Sequence, residues 1–290
     1  MRVMKKAFQN VAIIGKYNAS EMRDSILAMT AFLAAEQINV FIEAATADHC
    51  NISGFTTLGM DEIGKRADLA VVLGGDGTML GVSRTLANSQ IPLIGVNQGR
   101  VGFLTDISSA NMLDEMRKIL AGDFSIEQRI LLNAKVMRNG KDIGCGYAMN
   151  DVVINKAGMS RLIELEVDID GQFVHRQRSD GLILATPTGT TAYALSAGGP
   201  ILHPTLDAIT LVPICPHTLS NRPIAIRSNS KVEITLVHCE EAAIHLDGQL
   251  ELAVLEGDKI LVQRDERTVS LLHPLGHSHY DMLRQKLNWG

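Results

Sequence analysis

The stretch Leu69–Leu80, LAVVLGGDGTML, carries the residues best suited to chemistry. Its first five residues are apolar without polar alternation, which is typical of a strand buried on both faces in a parallel sheet. Glycines follow at the carboxyl end, where open α/β sheets bind ligands and where a side chain would block a bulky anion. A helix then begins, and its first amides would point at that anion. The predicted phosphate loop comprises Gly74, Gly75, Gly77 and Thr78.

Asp76 is the unusual residue of this turn, because a carboxylate beside a phosphate repels it unless a metal ion or a proton transfer is involved. A carboxylate next to a predicted phosphate loop therefore suggests phosphoryl transfer. Two common nucleotide motifs fit poorly: there is no G-x-x-x-x-G-K-[ST], and Leu80 stands where a Rossmann fingerprint has its third glycine. A glycine-rich turn can also be purely structural, so the motif needs support from the rest of the chain.

Composition favours a globular protein that binds small molecules. The 290 residues are 46% hydrophobic, with a formal net charge of −5. We find no basic field for nucleic acid and no apolar run long enough for a membrane span, and we expect no secretion signal. The cysteines are scattered singly, at positions 50, 145, 215 and 239, as is typical of reduced thiols. These features predict a cytoplasmic protein with no nucleic-acid or membrane partner.

A change of hydrophobic period divides the chain. Residues 1–123 alternate buried-type strands with amphipathic helices, which predicts an α/β, Rossmann-like domain. Residues 124–273 show short strands and Asn-Gly or Asp-Gly turns, which predict an all-β sandwich. Residues 274–290 predict a helix that packs back on the first domain. Residues 44–57 show no clear period, so we expect a loop there.

A second polar stretch, Arg178–Leu202, contains a carboxylate, an apolar run, four closely spaced threonines, a tyrosine and several glycines. Hydroxyls donate and accept hydrogen bonds, and glycines allow close approach, so the combination suits a sugar–phosphate ligand. The alternative is a Ser/Thr-rich turn that caps a short helix near residues 192–197.

Several motifs together resemble the NAD kinases. They are GGDGT at 74–78, NDVVI at 150–154, SDG at 179–181 and TPTGTTAYALSAGGPIL at 186–202. VNQGRVGFLTD at 96–106 and ICPHTLSNRP at 214–223 are similar to that family as well, so the resemblance covers most of the chain. Turns like GGDG also occur in 6-phosphofructokinases and in diacylglycerol or sphingosine kinases, and the threonine–tyrosine segment distinguishes among these families.

The resemblance implies transfer of the γ-phosphoryl group of ATP to the 2′-hydroxyl of the adenosine ribose of NAD, giving NADP and ADP. Asp76 would orient that hydroxyl and accept its proton. A divalent metal ion, Mg²⁺, would neutralise triphosphate charge together with the loop amides. The sequence does not identify the protein ligands of this ion. The family also implies a homodimer or homotetramer.

The substrate contacts of the family correspond to fourteen positions in this sequence. They are Asp76, Gly77, Asn150, Asp151, Arg161, Arg178, Asp180, Thr191, Ala192, Tyr193, Ala194, Leu195, Ser196 and Gln249. Asn150 and Asp151 would bond adenine and ribose edges, and Tyr193 would lie against the adenine or ribose. The alternative for Asn150 and Asp151 is a structural role in which they cap a turn.

Charged and polar positions further along would recognise the ends of the dinucleotide. Asp180 would accept a hydrogen bond from the nicotinamide carboxamide, and Arg161 and Arg178 would pair with phosphate. For Arg161 the alternative is a solvated charge at a strand end, and for Gln249 it is a place in a simple hairpin.

Three histidines near the end of the chain, at positions 273, 277 and 279, match no zinc-binding spacing and have no cysteine beside them. We therefore expect no metal site there. Two other functions stay open on sequence grounds. A lipid kinase of the GGDG type would need a membrane-docking surface, and a noncatalytic NAD(P)-sensing module would need no carboxylate at position 76.

Overall fold

A computed structural model describes residues 7–16, 22–99, 102–158, 161–218 and 220–289. They form two units, one within residues 1–128 and 269–290 and the other within residues 129–268. The boundaries differ by five residues from the predicted 123/124 and 273/274. The reason is that each boundary between the units falls within a long strand. The first boundary lies in Phe124–Arg138 and the second in Lys259–Pro274.

The first unit is an α/β domain, as predicted. Its elements before residue 124 are β1 (Asn10–Gly15), α1 (Arg23–Ala35), β2 (Asn39–Glu43), α2 (Ala44–His49), β3 (Thr56–Leu58), α3 (Met60–Arg66), β4 (Leu69–Leu73), α4 (Asp76–Leu86), β5 (Leu93–Asn97), β6 (Ile107–Ser108) and α5 (Met112–Ala121). The strands are parallel in the order β3-β2-β1-β4-β5-β6. The order reverses between β1 and β4, and sheets of this kind bind ligands at that point, beyond the strand carboxyl ends.

The apolar strands of this sheet are its core. Every residue of β4 and of β5 is buried, which explains their continuous apolar sequences. Side chains from α1, such as Ile26 and Met29, pack in the same cluster as Val71 and Ile94. The helix α5 ends at Gly122 in the left-handed region, with φ of 100°, as its sequence predicts.

The expected loop at residues 44–57 is wrong in its first half, where α2 forms. The Glu43 carboxylate accepts hydrogen bonds from the amides of Ala45 (3.1 Å) and Thr46 (2.6 Å) and so caps the helix. A six-residue helix shows too little of its period to be recognised, and glutamate is not among the common capping residues.

The second unit is a β sandwich, as predicted. The remaining elements are β7 (Phe124–Arg138), β8 (Lys141–Ala148), β9 (Asp151–Lys156), β10 (Ile163–Ile169), β11 (Gln172–Ser179), β12 (Gly181–Ala185), α6 (Tyr193–Ser196), β13 (Ala208–Ile214), β14 (Ile224–Arg227), β15 (Val232–His238), β16 (Ala242–Leu246), β17 (Leu250–Val254), β18 (Lys259–Pro274) and α7 (His279–Leu287), of which α7 belongs to the first unit. The strands β10, β11 and β15 lie in one sheet, and the order in the other is β14-β13-β12-β9-β16-β17.

Side chains from both sheets form a single core in this unit. Leu165 and Ile234 come from one sheet, and Ile154 and Leu184 come from the other. The unit is not purely β, because a 3₁₀ turn at Thr188–Thr191 and the short α6 follow β12. Among the described residues, no helix combines the length and the apolar character needed to cross a bilayer.

Candidate active site

Asp76 is the first residue of α4, directly after the buried strand β4 and the turn Gly74-Gly75. The amide end of this eleven-residue helix carries partial positive charge and attracts anions. A Cβ added at Gly75 would meet no atom within 4 Å, so the turn borders open space. Gly74 differs, because a Cβ there would lie 2.5 Å from Thr78 Oγ1. The four predicted loop residues therefore form the strand-to-helix turn, with Gly77 and Thr78 in the first turn of α4.

The Asp76 carboxylate is held by one loop of the first unit. Its Oδ2 accepts the amide of Phe103 (2.9 Å), and its Oδ1 accepts the amide of Leu104 (3.0 Å) and the hydroxyl of Thr105 (3.2 Å). Thr105 is fully buried and accepts a hydrogen bond from Asn97 Nδ2 at 3.0 Å. A carboxylate offers about four acceptor positions. The described residues fill three of these, so one position on Oδ2 is left for a ligand.

Gly102 allows this loop to approach Asp76. An added Cβ would collide with Asp76 Oδ1 and would lie 2.6 Å from Thr105 Oγ1. The family resemblance includes this segment, but the sequence predicts no role for residues 102–105. The only available signal was the GFLTD string itself, because the partner Asp76 lies 27 to 29 residues earlier in the chain.

A second carboxylate organises the predicted substrate residues of the other unit. Asp247 accepts hydrogen bonds from the amides of Met149 (3.0 Å), Asn150 (2.7 Å) and Asp151 (3.2 Å). Asp247 and Gly248 form the tight turn between β16 and β17, with φ of 52° and 63°. This hairpin therefore does more than connect two strands: it holds the Asn150-Asp151 turn at the start of β9.

Asp151 has an unusual protonation equilibrium. Its side chain is 4% exposed. Burial, with a smaller contribution from the nearby charge of Asp247, raises the pKa of Asp151 to about 7. A raised carboxyl pKa beside a cavity is typical of functional sites.

A cavity of about 340 Å³ lies beside these carboxyl groups, within the size range of small-molecule sites. Its lining comprises Asn150, Asp151, Val153, Asn155, Ala192, Tyr193, His245, Asp247 and Gly248. Tyr193 opens α6 and is 44% exposed, so its ring is available to a ligand. The structure thus brings together four predicted substrate residues, namely Asn150, Asp151, Ala192 and Tyr193, and adds Asp247 to them.

The threonine-rich segment bonds largely to the protein itself. Thr186 Oγ1 donates to the Met149 carbonyl (2.5 Å), and Thr190 Oγ1 donates to the Pro187 carbonyl (2.7 Å). The Thr190 hydroxyl also accepts the amide of Leu202 at 3.0 Å. Both hydroxyls are therefore engaged within the protein, which agrees with the alternative of a Ser/Thr-rich turn beside a short helix.

The rest of this predicted run differs from residue to residue. Thr191 is half-buried and donates to the Thr188 carbonyl at 3.2 Å. Ala194 is fully buried in an apolar cluster with Ile183, whereas Ser196 is exposed. Leu195 is partly exposed.

The predicted substrate contacts outside the cavity lining include four charged or polar residues beyond the loop and the threonine–tyrosine run: Arg161, Arg178, Asp180 and Gln249. Arg161 is 85% exposed, with its Nε 3.4 Å from Glu240 Oε1. Asp180 Oδ1 lies 2.9 Å from Lys156 Nζ. Arg178 and Gln249 are exposed. The high exposure of Arg161 agrees with its alternative interpretation as a solvated charge at a strand end.

Two family models and two relatives that match this chain belong to one family, and the relatives match nearly the whole length of the chain. The family model described as ATP-NAD kinase N-terminal domain matches residues 11–124, and the ATP-NAD kinase C-terminal domain matches residues 149–273. The NAD kinase of Thiobacillus denitrificans is 48% identical over 287 residues, which cover 99% of both chains. That of Aromatoleum aromaticum is 50% identical over 287 residues, which cover 99% of this chain and 96% of the relative.

Two solved structures have folds similar to that of this chain. Yeast NADH kinase complexed with NADH has a TM-score of 0.89 at 26% identity, covering 97% of this chain and 88% of that one. An NAD kinase from Archaeoglobus fulgidus in complex with ATP has a TM-score of 0.77 at 24% identity, covering 97% and 99%, and supports the fold alone. Fold and site thus define a nucleotide-dependent phosphotransferase. The chain belongs to the ATP-NAD kinase family, which argues against the lipid-kinase alternative.

Gly102→Ala tests the loop that holds Asp76. The new methyl group would displace the Asp76 carboxylate, so we expect kcat to fall by about 10- to 100-fold because a small misplacement of a reacting group is costly. The measurement is kinase turnover together with the melting temperature. Gly59→Ala is the control, because a Cβ there meets nothing within 4 Å. Unchanged turnover in a folded Gly102→Ala protein would contradict the positioning role.

Asp151→Asn tests the raised pKa. Between pH 4 and 7 the folded chain holds a proton on Asp151 that an unfolded chain has lost, so the stability from this group falls as pH rises through about 7. The full loss is about 4 kcal/mol. Urea unfolding at pH 5 and pH 8 should therefore show a smaller decrease in Asp151→Asn than in the parent. The exposed Asp142→Asn should behave like the parent, and an equal decrease in all three proteins would refute the assignment.

Proposed function

We propose that this protein transfers the γ-phosphoryl group of ATP to the 2′-hydroxyl of the adenosine ribose of NAD, forming NADP and ADP. Relatives named NAD kinase match 99% of the chain at 48% identity, which supports this activity. The observation that carries the mechanism is the Asp76 carboxylate. It is held by residues 103–105, has one acceptor position left on Oδ2 among the described residues, and lies at the open start of α4.

The chemistry follows from that position. A ribose hydroxyl is a weak nucleophile, and Asp76 Oδ2 accepts its proton as the hydroxyl oxygen bonds to the γ-phosphorus and the bond to ADP breaks. The start of α4, with Gly75 and Gly77, attracts the phosphate oxygens through the partial positive charge of the helix. Positioning and charge stabilisation supply most of the catalysis in such transfers.

A divalent ion, Mg²⁺, fits the phosphate oxygens of ATP, because Mg²⁺ prefers oxygen ligands and often binds mainly through substrate phosphates. When bound, it would neutralise charge on the phosphates. The phosphates of ATP would hold it, while the open acceptor position on Asp76 Oδ2 serves the ribose hydroxyl.

The cavity beside Asp247 is the proposed adenosine site of NAD. The polar atoms of Asn150 and Asp151 border it and are suited to base and ribose edges, and the exposed Tyr193 offers a stacking surface. We retain the family-based roles of Arg161 and Arg178 toward phosphate and of Asp180 toward nicotinamide. The rest of the run Thr191–Ser196, together with Gln249, completes the proposed contacts.

We further propose a cytoplasmic homodimer or homotetramer, with NAD and ATP as its small-molecule partners and no nucleic acid or membrane. Four free cysteines without a disulfide among the described residues are compatible with a reducing compartment. Light scattering coupled to size-exclusion chromatography measures the assembly. A monomer at micromolar concentration would refute it.

Asp76→Asn tests catalysis. The amide removes the base and turns an N–H group toward the donors of Phe103 or Leu104, so we expect kcat to fall at least about 100-fold while NAD still binds. NADP formation from NAD, ATP and Mg²⁺ is followed with an NADP-specific dehydrogenase, and NAD binding by calorimetry. The exposed Asp61→Asn, in the first turn of α3, should keep full activity. Turnover equal to that of the parent in folded Asp76→Asn would exclude the assigned role. A parent that shows no turnover would favour the alternative of a noncatalytic NAD(P)-sensing module.

Tyr193→Ala tests the adenosine site. Loss of the stacking surface should raise the KM for NAD about tenfold, equivalent to about 1.4 kcal/mol, and leave the KM for ATP nearly unchanged. Phe173→Ala is the control, because Phe173 is an aromatic residue 62% exposed on β11 and outside the cavity lining. Equal increases in both KM values would count against this placement of NAD.

A further inference from the structure

Three side chains that the proposed reaction does not use meet in the first unit: Asp106, His273 and His277. Asp106 Oδ2 lies 2.9 Å from Nδ1 of each histidine. The two imidazole rings stack with their centroids 4.1 Å apart and an interplanar angle of 15°. One ligand atom from each residue lies within 4.8 Å of the other two. We call these three residues the histidine cluster.

The histidine cluster is enclosed and its carboxylate is incompletely bonded. The exposed fractions of the side chains are 6% for Asp106, 3% for His273 and 15% for His277. Asp106 Oδ1 is buried and has no hydrogen-bond partner among the described residues. A buried oxygen without a donor is costly, and a bound cation would satisfy it.

A second carboxylate lies behind His273. Glu127 Oε2 is 3.2 Å from His273 Nε2, the ring nitrogen that does not face Asp106. Imidazoles that bind metals almost always donate their second N–H group to a carboxylate, a carbonyl or water. With the proton on Nε2, the lone pair of Nδ1 points to the space shared with Asp106 and His277. The separation of 3.2 Å places Glu127 within reach of this outer role.

We propose that Asp106, His273 and His277 bind a divalent transition-metal ion of the zinc class, with Glu127 as the outer carboxylate. Two imidazole nitrogens and one carboxylate oxygen suit Zn²⁺, whereas Mg²⁺ and Ca²⁺ select oxygen ligands. Bonds of about 2.0–2.1 Å at tetrahedral angles separate ligand atoms by roughly 3.3 Å. The two separations of 2.9 Å in the histidine cluster would need to open by only a few tenths of an ångström.

The position of the site gives it a structural consequence. Thr105, next to Asp106 in the chain, donates its hydroxyl to Asp76 Oδ1. An ion on Asp106 would therefore fasten the loop that holds Asp76. The binding itself does not depend on the proposed activity, and its test uses no nucleotide.

Zinc titration of the full chain tests the site. Protein dialysed against a chelator is titrated with Zn²⁺ by calorimetry, without NAD or ATP. We expect one ion per chain, affinity at least about 100-fold lower in His277→Gln, and a reduction of about 10- to 100-fold in Glu127→Gln. His238→Gln is the matched control, because His238 also pairs with a carboxylate, Glu256 at 2.9 Å, but is exposed and outside the cluster. It should bind Zn²⁺ like the parent.

Thermal unfolding gives an independent readout in folded variants. Zn²⁺ should raise the melting temperature of the parent and of His238→Gln, and should leave that of His277→Gln unchanged. His277 is chosen because it is partly exposed, whereas His273 is fully buried and its loss threatens folding. Absence of stoichiometric binding by the parent would overturn the proposal and leave a hydrogen-bonded cluster only. Equal binding by His277→Gln and His238→Gln would overturn it as well.

Discussion

The Asp76 carboxylate depends on hydrogen bonds from a loop that is distant in sequence, and the proposed chemistry depends on that carboxylate. Bonds from backbone amides to an ionised carboxylate are short and strong, and they set its direction without a flexible side chain. The loop leaves β5, the strand paired with β4, so both parts are anchored in one buried parallel sheet. Close packing is possible because Gly95 of β5 faces the Leu104 carbonyl, where a Cβ would lie 2.5 Å away. A base held in this way needs little reorganisation before proton transfer.

The second unit uses the same kind of interaction with a different outcome. Asp247 accepts three amides and so orders the Asn150-Asp151 turn, as Asp76 is ordered by its own loop. The neighbouring Asp151 is buried and stays protonated on the acid side of neutrality. A protonated carboxyl donates a hydrogen bond, whereas an ionised one only accepts. The pair therefore presents one donor and one acceptor carboxyl group beside the cavity, and the donor is lost as pH rises through about 7.

What could be predicted from the sequence was local. The strand β4, the turn at Gly74-Gly75 and the start of α4 follow from a continuous apolar run and its glycines, and the Asn139-Gly140 turn appears with φ of 49° and 76°. Interactions between distant residues were not predictable. Asp247 reaches Met149 across 98 positions, and neither residue carries a local signal for the other. The hydroxyls of Thr186 and Thr190 show the same limit, since the sequence shows that a hydroxyl is present but not where it bonds.

The histidine cluster is the clearest example of this limit. His273 and His277 are four positions apart, whereas Asp106 is 167 positions from His273. Strand pairing brings them together: Leu271 of β18 pairs with Leu93 of β5, and Val96 of β5 pairs with Ile107 of β6. His273 follows one of these pairs and Asp106 precedes the other, so β5 serves as the common reference for both. Rules of ligand spacing apply when the ligands share one local segment. Here the sheet replaces that segment, and a metal site assembled by strand order has no spacing to recognise.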